Sequence, residues 1–132
     1  MKKALLLFPI FFILIFPTPT PVQANAPQLF LPVTSYDFGE ISEGETIEHI
    51  FILKNTGQAL LEIISATPDC NCTKVRLSTN RIEAGKQGEI TVTYNSQKQR
   101  GSFTKLVIIE TNDPVEPVKI IKIKGTVIKE DA

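Results

Sequence analysis

Two cysteines separated by one residue are the feature of this sequence with the clearest chemical content. Cys70 and Cys72 are the only cysteines among the 132 residues, and they flank Asn71. In an extended segment, residues i and i+2 point to the same side, so both sulfurs face one way. Three uses fit such a pair: a local structural clip, a thiol–disulfide redox site, or a thiolate pair that holds Cu(I).

The spacing of the two cysteines favours one of these three uses but excludes none of them. A bond between Cys70 and Cys72 closes a loop of about three residues, so its entropic stabilisation is small, and the tight geometry makes it easier to reduce. A closed zinc site needs four ligands, and the chain offers only His49 as a further soft ligand. We therefore favour the clip, which implies no cofactor, and keep redox chemistry and copper binding as alternatives.

The single histidine of the chain lies in an alternating segment. His49 is in phase with Ile47, Phe51 and Leu53, which predicts a partly buried, hydrogen-bonded core histidine. No serine, cysteine or carboxylate pattern supplies the rest of a catalytic triad. The sequence thus assigns no catalytic residue and indicates a protein that is not an enzyme.

Four glutamates crowd one short region: Glu40, Glu43, Glu45 and Glu48. Their carboxylates could bind a hard cation. A solvated charged rim is the interpretation that we favour, so no metal site is assigned.

Lys122 and Lys124 share one face of the last apolar segment, opposite Ile121 and Ile123. We interpret this pair as the lysines of an edge strand, where charge blocks pairing with another chain.

The first 24 residues have the pattern of an export signal. Lys2 and Lys3 precede thirteen apolar or proline residues and a turn-rich segment that ends in small residues. Cleavage is predicted after Ala24 or Ala26. A spanning helix needs about 20 apolar residues, so no membrane span is expected after removal of the signal. The predicted location is periplasmic or extracellular.

Composition excludes one class of partner and favours one class of fold. The 14 basic residues balance the 14 acidic ones, and losing Lys2 and Lys3 leaves a slight acidic excess. The sequence has no cluster of lysines and arginines that would bind the phosphates of a nucleic acid. After Ala24 the chain has 32 Ile, Val and Thr residues against 12 Ala and Leu, a balance that favours strands.

Alternation and turn residues divide the rest of the chain into about seven strands. They are predicted at 25–34 (an edge strand with two prolines), 46–54, 60–66, 73–77, 89–94, 103–111 and 118–127. The segments Tyr36–Gly39 and Glu43–Glu45 are predicted to form a bend and a turn. Strands at this spacing are typical of an all-β, antiparallel sandwich of two sheets.

Several strand positions break strict alternation, among them Ile50, Ile52 and the run 106–109. We favour a central strand that neighbouring side chains cover. The alternative is an exposed apolar sheet face used for docking.

Seven motifs in a fixed order resemble a family of exported bacterial domains known as domain of unknown function 1573. They are Tyr36-Asp-Phe-Gly-Glu-Ile41, Gly44-Glu45, Phe51-Ile-Leu-Lys-Asn-Thr-Gly57, Leu61-Glu-Ile63, Cys70-Asn-Cys-Thr73, Gly85-Lys-Gln-Gly-Glu-Ile90 and Thr111-Asn-Asp113. The resemblance extends to about Val127. It implies export and an immunoglobulin-like sandwich similar to Hydin-type and major-sperm-protein-type domains, and it implies no reaction.

Two positions depart from the family pattern. Asn71 replaces a glycine between the cysteines, and asparagine tolerates positive φ, so the turn is expected to persist. Ala84 replaces a proline before Gly85. The residues that the motifs single out are Asn71 and Thr73 as support for the turn, and Phe38, Gly39, Asn55, Gly57, Gly85, Gly88, Asn112 and Asp113.

The sequence therefore predicts four segments: a signal peptide (1–24), an N-terminal segment or edge strand (25–35), an immunoglobulin-like sandwich (36–128) and a tail (129–132). We predict a binding or scaffolding module that recognises an envelope or extracellular protein through loops at the sandwich end or through a sheet edge. The alternative function is thiol redox chemistry or Cu(I) handling at Cys70 and Cys72. The oligomeric state is left open.

Overall fold

The computed structural model of the chain describes residues 3–4, 9, 11–18 and 25–129. The predicted leader lies partly outside these residues, together with its cleavage site after Ala24, and so does most of the tail 129–132. Strands, turns and irregular segments make up the described residues. None of these residues belongs to a helix with the length and hydrophobicity to cross a membrane.

The described chain forms nine strands. They are β1 (Leu29–Phe30), β2 (Ser35–Ser42), β3 (Thr46–Asn55), β4 (Leu61–Pro68), β5 (Thr73–Leu77), β6 (Arg81–Ile82), β7 (Gln87–Asn95), β8 (Gly101–Thr111) and β9 (Val118–Ile128).

Two sheets pack face to face, as the sequence predicts. One has the strand order β1-β3-β7-β5 and the other the order β2-β9-β8-β4-β6. All pairings are antiparallel except one: β2 runs parallel to β9. The predicted antiparallel sandwich is confirmed with this single exception.

The core lies between the sheets and follows from the alternation. Phe51 and Leu53 on β3 are buried, as are Ile90, Val92 and Tyr94 on β7. Of the residues between them, Ile52 and Thr93 are only partly buried, whereas Thr91 is buried as well. Each fully buried side chain of this size contributes about 1.5–3 kcal/mol relative to exposure. Burial of one face therefore fixes the register of both strands.

β2 was not predicted: Tyr36–Gly39, interpreted as a bend, lies within it. Most of its side chains are exposed, so no buried periodicity marks it. An irregularity does lie where the bend was predicted: Gly39 has a φ of 68°, and the pairing with β9 shifts register between Asp37 and Glu40. This irregularity is a β-bulge in an edge strand, and its left-handed backbone position favours a glycine.

The N-terminal segment is an edge strand only over two residues, β1, rather than over 25–34. Pro27 and Pro32 flank it, and a proline cannot donate to a ladder. The two-residue strand β6 was not predicted and pairs with the start of β4.

The interpretation of Lys122 and Lys124 as lysines of an edge strand is wrong. β9 lies between β2 and β8, and the N–H of Lys122 donates to the carbonyl of Thr34. Ile121 and Ile123 are buried, as expected. Alternation shows which face is outward, but a strand's position within its sheet depends on distant partners.

Two of the positions that break alternation are not covered by neighbouring side chains: Ile50 is 46% exposed and Ile108 is 41% exposed. Ile52 and Leu106 are partly buried. The favoured interpretation is thus wrong at Ile50 and Ile108. Ile108 lies opposite Ile120 on β9, which is 49% exposed. Each sheet carries a small apolar group on its outer face.

Candidate functional site

The two cysteines lie in a turn that connects the two sheets. β4 of one sheet ends at Pro68 and β5 of the other begins at Thr73. The N–H of Thr73 donates to the carbonyl of Cys70 at 3.1 Å, and a disulfide joins Cys70 to Cys72. Copper binding through two thiolates would first require reduction of this bond.

Backbone hydrogen bonds hold this turn to both sheets. The N–H of Asp69 donates to the carbonyl of Leu106 on β8, and the carboxylate of Asp69 accepts the N–H of Leu106 at 3.1 Å. On the other side, the N–H of Asn95 at the end of β7 donates to the carbonyl of Cys72. The disulfide therefore occupies a fixed position at one end of the sandwich.

Asn71 lies in the turn without a left-handed backbone. Among the described residues, only Lys98 combines a positive φ with a side chain beyond glycine. The expected turn is present, closed by the bond from Thr73 to Cys70, but the positive φ expected at Asn71 is not. Thr73 is buried, and its Oγ1 lies 3.7 Å from Sγ of Cys72.

A hydrogen bond distinguishes the two sulfurs. The N–H of Cys72 points at Sγ of Cys70, with 3.1 Å between nitrogen and sulfur. Both cysteines are partly exposed, yet only Cys72 contributes to the lining of the open cavity beside the turn.

This cavity has a volume of about 550 Å³ and is cationic. It is lined by Thr46, Asn71, Cys72, Lys74, Thr93, Asn95, Gln97 and Lys98. The lining contains two lysines and no carboxylate, so it favours an anionic group. Sequence reasoning missed the cavity, because its lining comes from β3, the cysteine turn, β5, β7 and the loop after β7.

β5, which follows the cysteine turn, is the outer strand of its sheet. In the described part of the chain it pairs only with β7. The bonds that join Cys72 to Asn95 and Ser78 to Glu89 show that even-numbered residues face β7. The backbone groups of Val75 and Leu77 therefore point to the open side.

His49 belongs to an aromatic cluster. Its ring stacks on Tyr36 with centroids 3.7 Å apart, and it meets Phe51 edge-on at 4.7 Å. Phe38 contacts Tyr36 edge-on at 4.9 Å and so joins the cluster. Desolvation by partial burial lowers the pKa of His49 from its ordinary 6.5. The predicted partial burial is observed, but the predicted hydrogen bond is not found among the described residues, where the partners of the ring are aromatic.

The four glutamates do not converge. Glu43 pairs with Arg100 at 3.3 Å, and the carboxylate of Glu45 caps the N–H of Ser42 at 2.7 Å. The described residues include no group of three or more His, Cys, Asp or Glu side chains placed to hold a metal ion.

Asn55 is a structural centre at the other end of the sandwich. It is buried, and its Nδ2 donates to the carbonyls of Ala59 and Ile82, both at 2.8 Å. Its Oδ1 accepts the N–H of Gly57 at 3.0 Å and that of Gln28 at 3.3 Å. Both donors and the acceptor oxygen of the side-chain amide are thus hydrogen bonded within the fold.

Asp113 is buried and accepts three backbone N–H groups. Leu29 donates to Oδ2, while Val115 and Glu116 donate to Oδ1. Desolvation alone would raise the pKa of Asp113, but these hydrogen bonds and the charge of Lys119 outweigh it, so the pKa lies below its ordinary value.

The other motif residues also shape the fold. Asn112 binds the start of β4 through Leu60 and Glu62. A Cβ on Gly57 would lie 2.2 Å from the carbonyl oxygen of Ala26, so only glycine fits there. Gly85, at a φ of 73°, forms the turn before β7 and donates to the carbonyl of Asn55. Gly88 packs on Ile82.

Two fully buried residues carry hydroxyl groups, and one of them, Ser96, was missed by sequence reasoning. Ser96 is fully buried, and its hydroxyl donates to the carbonyl of Glu45 at 2.7 Å. Tyr94 is fully buried against Phe103, with centroids 4.2 Å apart, and its hydroxyl has no hydrogen-bond partner among the described residues. Nothing local in the sequence separates Ser96 from an ordinary turn position, whereas Tyr94 follows the alternation of Ile90 and Val92.

Solved structures similar to this chain are also sandwiches. A protein of unknown function from Porphyromonas gingivalis W83 matches with a TM-score of 0.71 and 23% identity, over 83% of this chain and 51% of that one. The chain thus spans about half of that protein. The ASH / PapD-like domain 7 of human CEP192 matches with a TM-score of 0.58 and 17% identity, over 99% of both chains.

A third match covers a smaller share of the matched protein. The secreted serine protease VesC from Vibrio cholerae has a TM-score of 0.58 and 12% identity, over 83% of this chain and 25% of that one. Identities this low show the fold alone, and the fold is the predicted immunoglobulin-like sandwich. No curated protein matches the sequence. Since the family model covers residues 30–127, the chain belongs to the family described as protein of unknown function (DUF1573).

Proposed function

We propose that this chain is an exported, non-enzymatic binding module that recognises a partner protein by adding a strand to the open edge of β5. The leader-like residues 1–24 support export, and a disulfide is typical of an oxidising compartment. The observation that carries the proposal is the side of β5 that no other described strand pairs with, where backbone donors and acceptors can continue the sheet.

β5 is the most suitable of the four sheet edges. β1 and β6 have only two residues each, too few for a ladder. β2 is longer but carries the bulge at Gly39, and bulges oppose pairing. β5 has five residues in unbroken register with β7 and begins at the rigid cysteine turn.

Charge on β5 specifies the partner. Lys74 and Arg76 are exposed on the outer face, and none of the ion pairs among the described residues includes them. Two copies of β5 side by side would bring like charges together, which disfavours self-association. A partner strand with acidic residues on that face and apolar residues toward the core complements Val75 and Leu77.

The test uses a synthetic peptide that alternates valine and glutamate over eight residues, with an alternating valine and lysine peptide as its control. Only the acidic peptide is expected to bind, because only its outward residues complement Lys74 and Arg76. In hydrogen exchange, the amides of Val75 and Leu77 are expected to gain protection when the peptide binds.

A matched pair of variants separates edge pairing from other contacts. Val75→Pro removes the outward N–H, whereas Val75→Ala loses similar packing but keeps the N–H. We expect Val75→Pro to abolish peptide binding and Val75→Ala to retain it, with both folded by circular dichroism. Equal binding by the two variants would refute strand addition at β5.

A further inference from the structure

We infer that the Cys70–Cys72 disulfide exchanges with a partner that carries two thiols, and that the attacking thiolate bonds to Sγ of Cys72. This activity goes beyond binding at β5, since it requires the sulfurs and the cavity beside them rather than the strand edge. Three features of the turn carry it: access to one sulfur, stabilisation of the other as a leaving group, and local positive charge.

Access distinguishes the two sulfurs. Cys72 lines the open cavity of about 550 Å³, and Cys70 does not. A thiolate that enters this space therefore lies beside Cys72 rather than beside Cys70. Exchange requires direct attack on one sulfur of the bond, so access determines which sulfur reacts.

The leaving group is already hydrogen bonded. Attack on Cys72 drives the bonding electron pair onto Sγ of Cys70, where the N–H of Cys72 lies 3.1 Å away. A hydrogen bond to an ionised acceptor is stronger than one to a neutral acceptor, so this N–H stabilises the thiolate more than the disulfide. A stabilised thiolate leaves faster.

Positive charge favours the incoming thiolate. Lys74 and Lys98 both line the cavity, and no carboxylate does. Hydrogen bonds fix the loop that bears Lys98: the N–H of Gln97 donates to Oδ1 of Asn95 at 2.9 Å, and that of Gln99 donates to the carbonyl of Ser96. Reactive sulfurs are found in partly exposed, electropositive surroundings of this kind.

The exchange balances in two steps. First, a partner thiolate forms a bond to Sγ of Cys72, the Cys70–Cys72 bond breaks, and Cys70 leaves as a thiolate. Second, the partner's other thiolate attacks the partner sulfur of this mixed disulfide and releases Cys72 as a thiolate beside Oγ1 of Thr73. The partner dithiol has lost two electrons and gained a disulfide, and the cysteine pair has gained those two electrons.

The first experiment locates the mixed disulfide. The purified disulfide-bonded protein is mixed with glutathione, quenched with N-ethylmaleimide, digested with trypsin and sequenced by tandem mass spectrometry. The expected product carries glutathione on Cys72 and maleimide on Cys70. Glutathione found mainly on Cys70, or no mixed disulfide at all, would overturn the inference.

The second experiment measures the complete exchange and its dependence on charge. A reduced Cys-Gly-Gly-Cys peptide should become oxidised as two thiols appear on the protein for each peptide disulfide. In low salt, the double variant Lys74→Gln/Lys98→Gln should react about threefold to tenfold more slowly. Lys54→Gln, at the other end of β3, is the matched control and should react at the wild-type rate. Equal slowing by the control, or none in the double variant, would contradict the role of the cavity lysines.

Discussion

The carboxylate of Asp113 accepts the backbone N–H of Leu29 at 3.1 Å, across 84 residues of the chain. Leu29 belongs to β1 in the four-stranded sheet, whereas Asp113 follows β8 in the five-stranded sheet. One buried side chain therefore connects the two sheets and attaches the N-terminal strand to the fold.

Asp113→Asn should lower the free energy of unfolding at neutral pH and should make that free energy less dependent on pH in acid. The folded-state pKa of Asp113 is lowered, so its stabilisation is present above its ordinary 3.8 and is lost as the pH falls through the lower folded value. Urea unfolding across the acid range measures this. As the pH falls through the folded-state pKa of Asp113, the variant should lose less stability than the wild type. A variant with the same acid dependence as the wild type would contradict the linkage.

Asn55→Ala should destabilise the fold by about 3 kcal/mol, because it leaves the buried carbonyl of Ile82 and neighbouring groups without partners. Asn71→Ala, on the exposed turn, should change stability by less than about 0.5 kcal/mol. Denaturant midpoints at constant m-value provide the comparison. Similar losses in both variants would show that the Asn55 amide is not the structural centre inferred for it.

Tyr94→Phe should raise the free energy of unfolding by about 1 kcal/mol, since the buried hydroxyl of Tyr94 has no partner among the described residues. The phenylalanine ring keeps the stack on Phe103. Tyr94→Leu, which removes the stack, should cost about 2 kcal/mol in thermal or urea unfolding. Destabilisation by Tyr94→Phe would imply a hydrogen bond from the hydroxyl.

His49→Phe should reduce the loss of stability in mild acid. The folded-state pKa of His49 is lowered from 6.5, so the unfolded chain takes up the proton first and stability falls as the pH drops below 6.5. Phenylalanine keeps an aromatic ring against Tyr36 and Phe51 but does not titrate. Unfolding free energies at about pH 7.5 and about pH 5 should differ less in the variant than in the wild type. An unchanged difference would remove His49 as the cause.

The strands with a buried face were predictable, and the exposed one was not. On β3 and β7 the buried apolar residues, such as Phe51 and Val92, recur at every second position, so they can be assigned from that period. β2 has mostly exposed side chains and pairs with β9, more than eighty residues later in the chain. The hydrogen bond from the N–H of Leu29 to Asp113 could not be predicted from the sequence either, because no local pattern links residues so far apart.

Side-chain alternation and turn residues were enough to specify the sandwich, the orientation of its inward faces and the placement of two cysteines on one side of a turn. These features depend on preferences that act between neighbours along the chain. The three-dimensional fold was needed to show that β5 is an open edge, that β9 is not, and that Cys72 rather than Cys70 lines a cavity with Lys74 and Lys98. Strand order and cavities depend on which distant segments meet, and that information is absent from any single stretch of sequence.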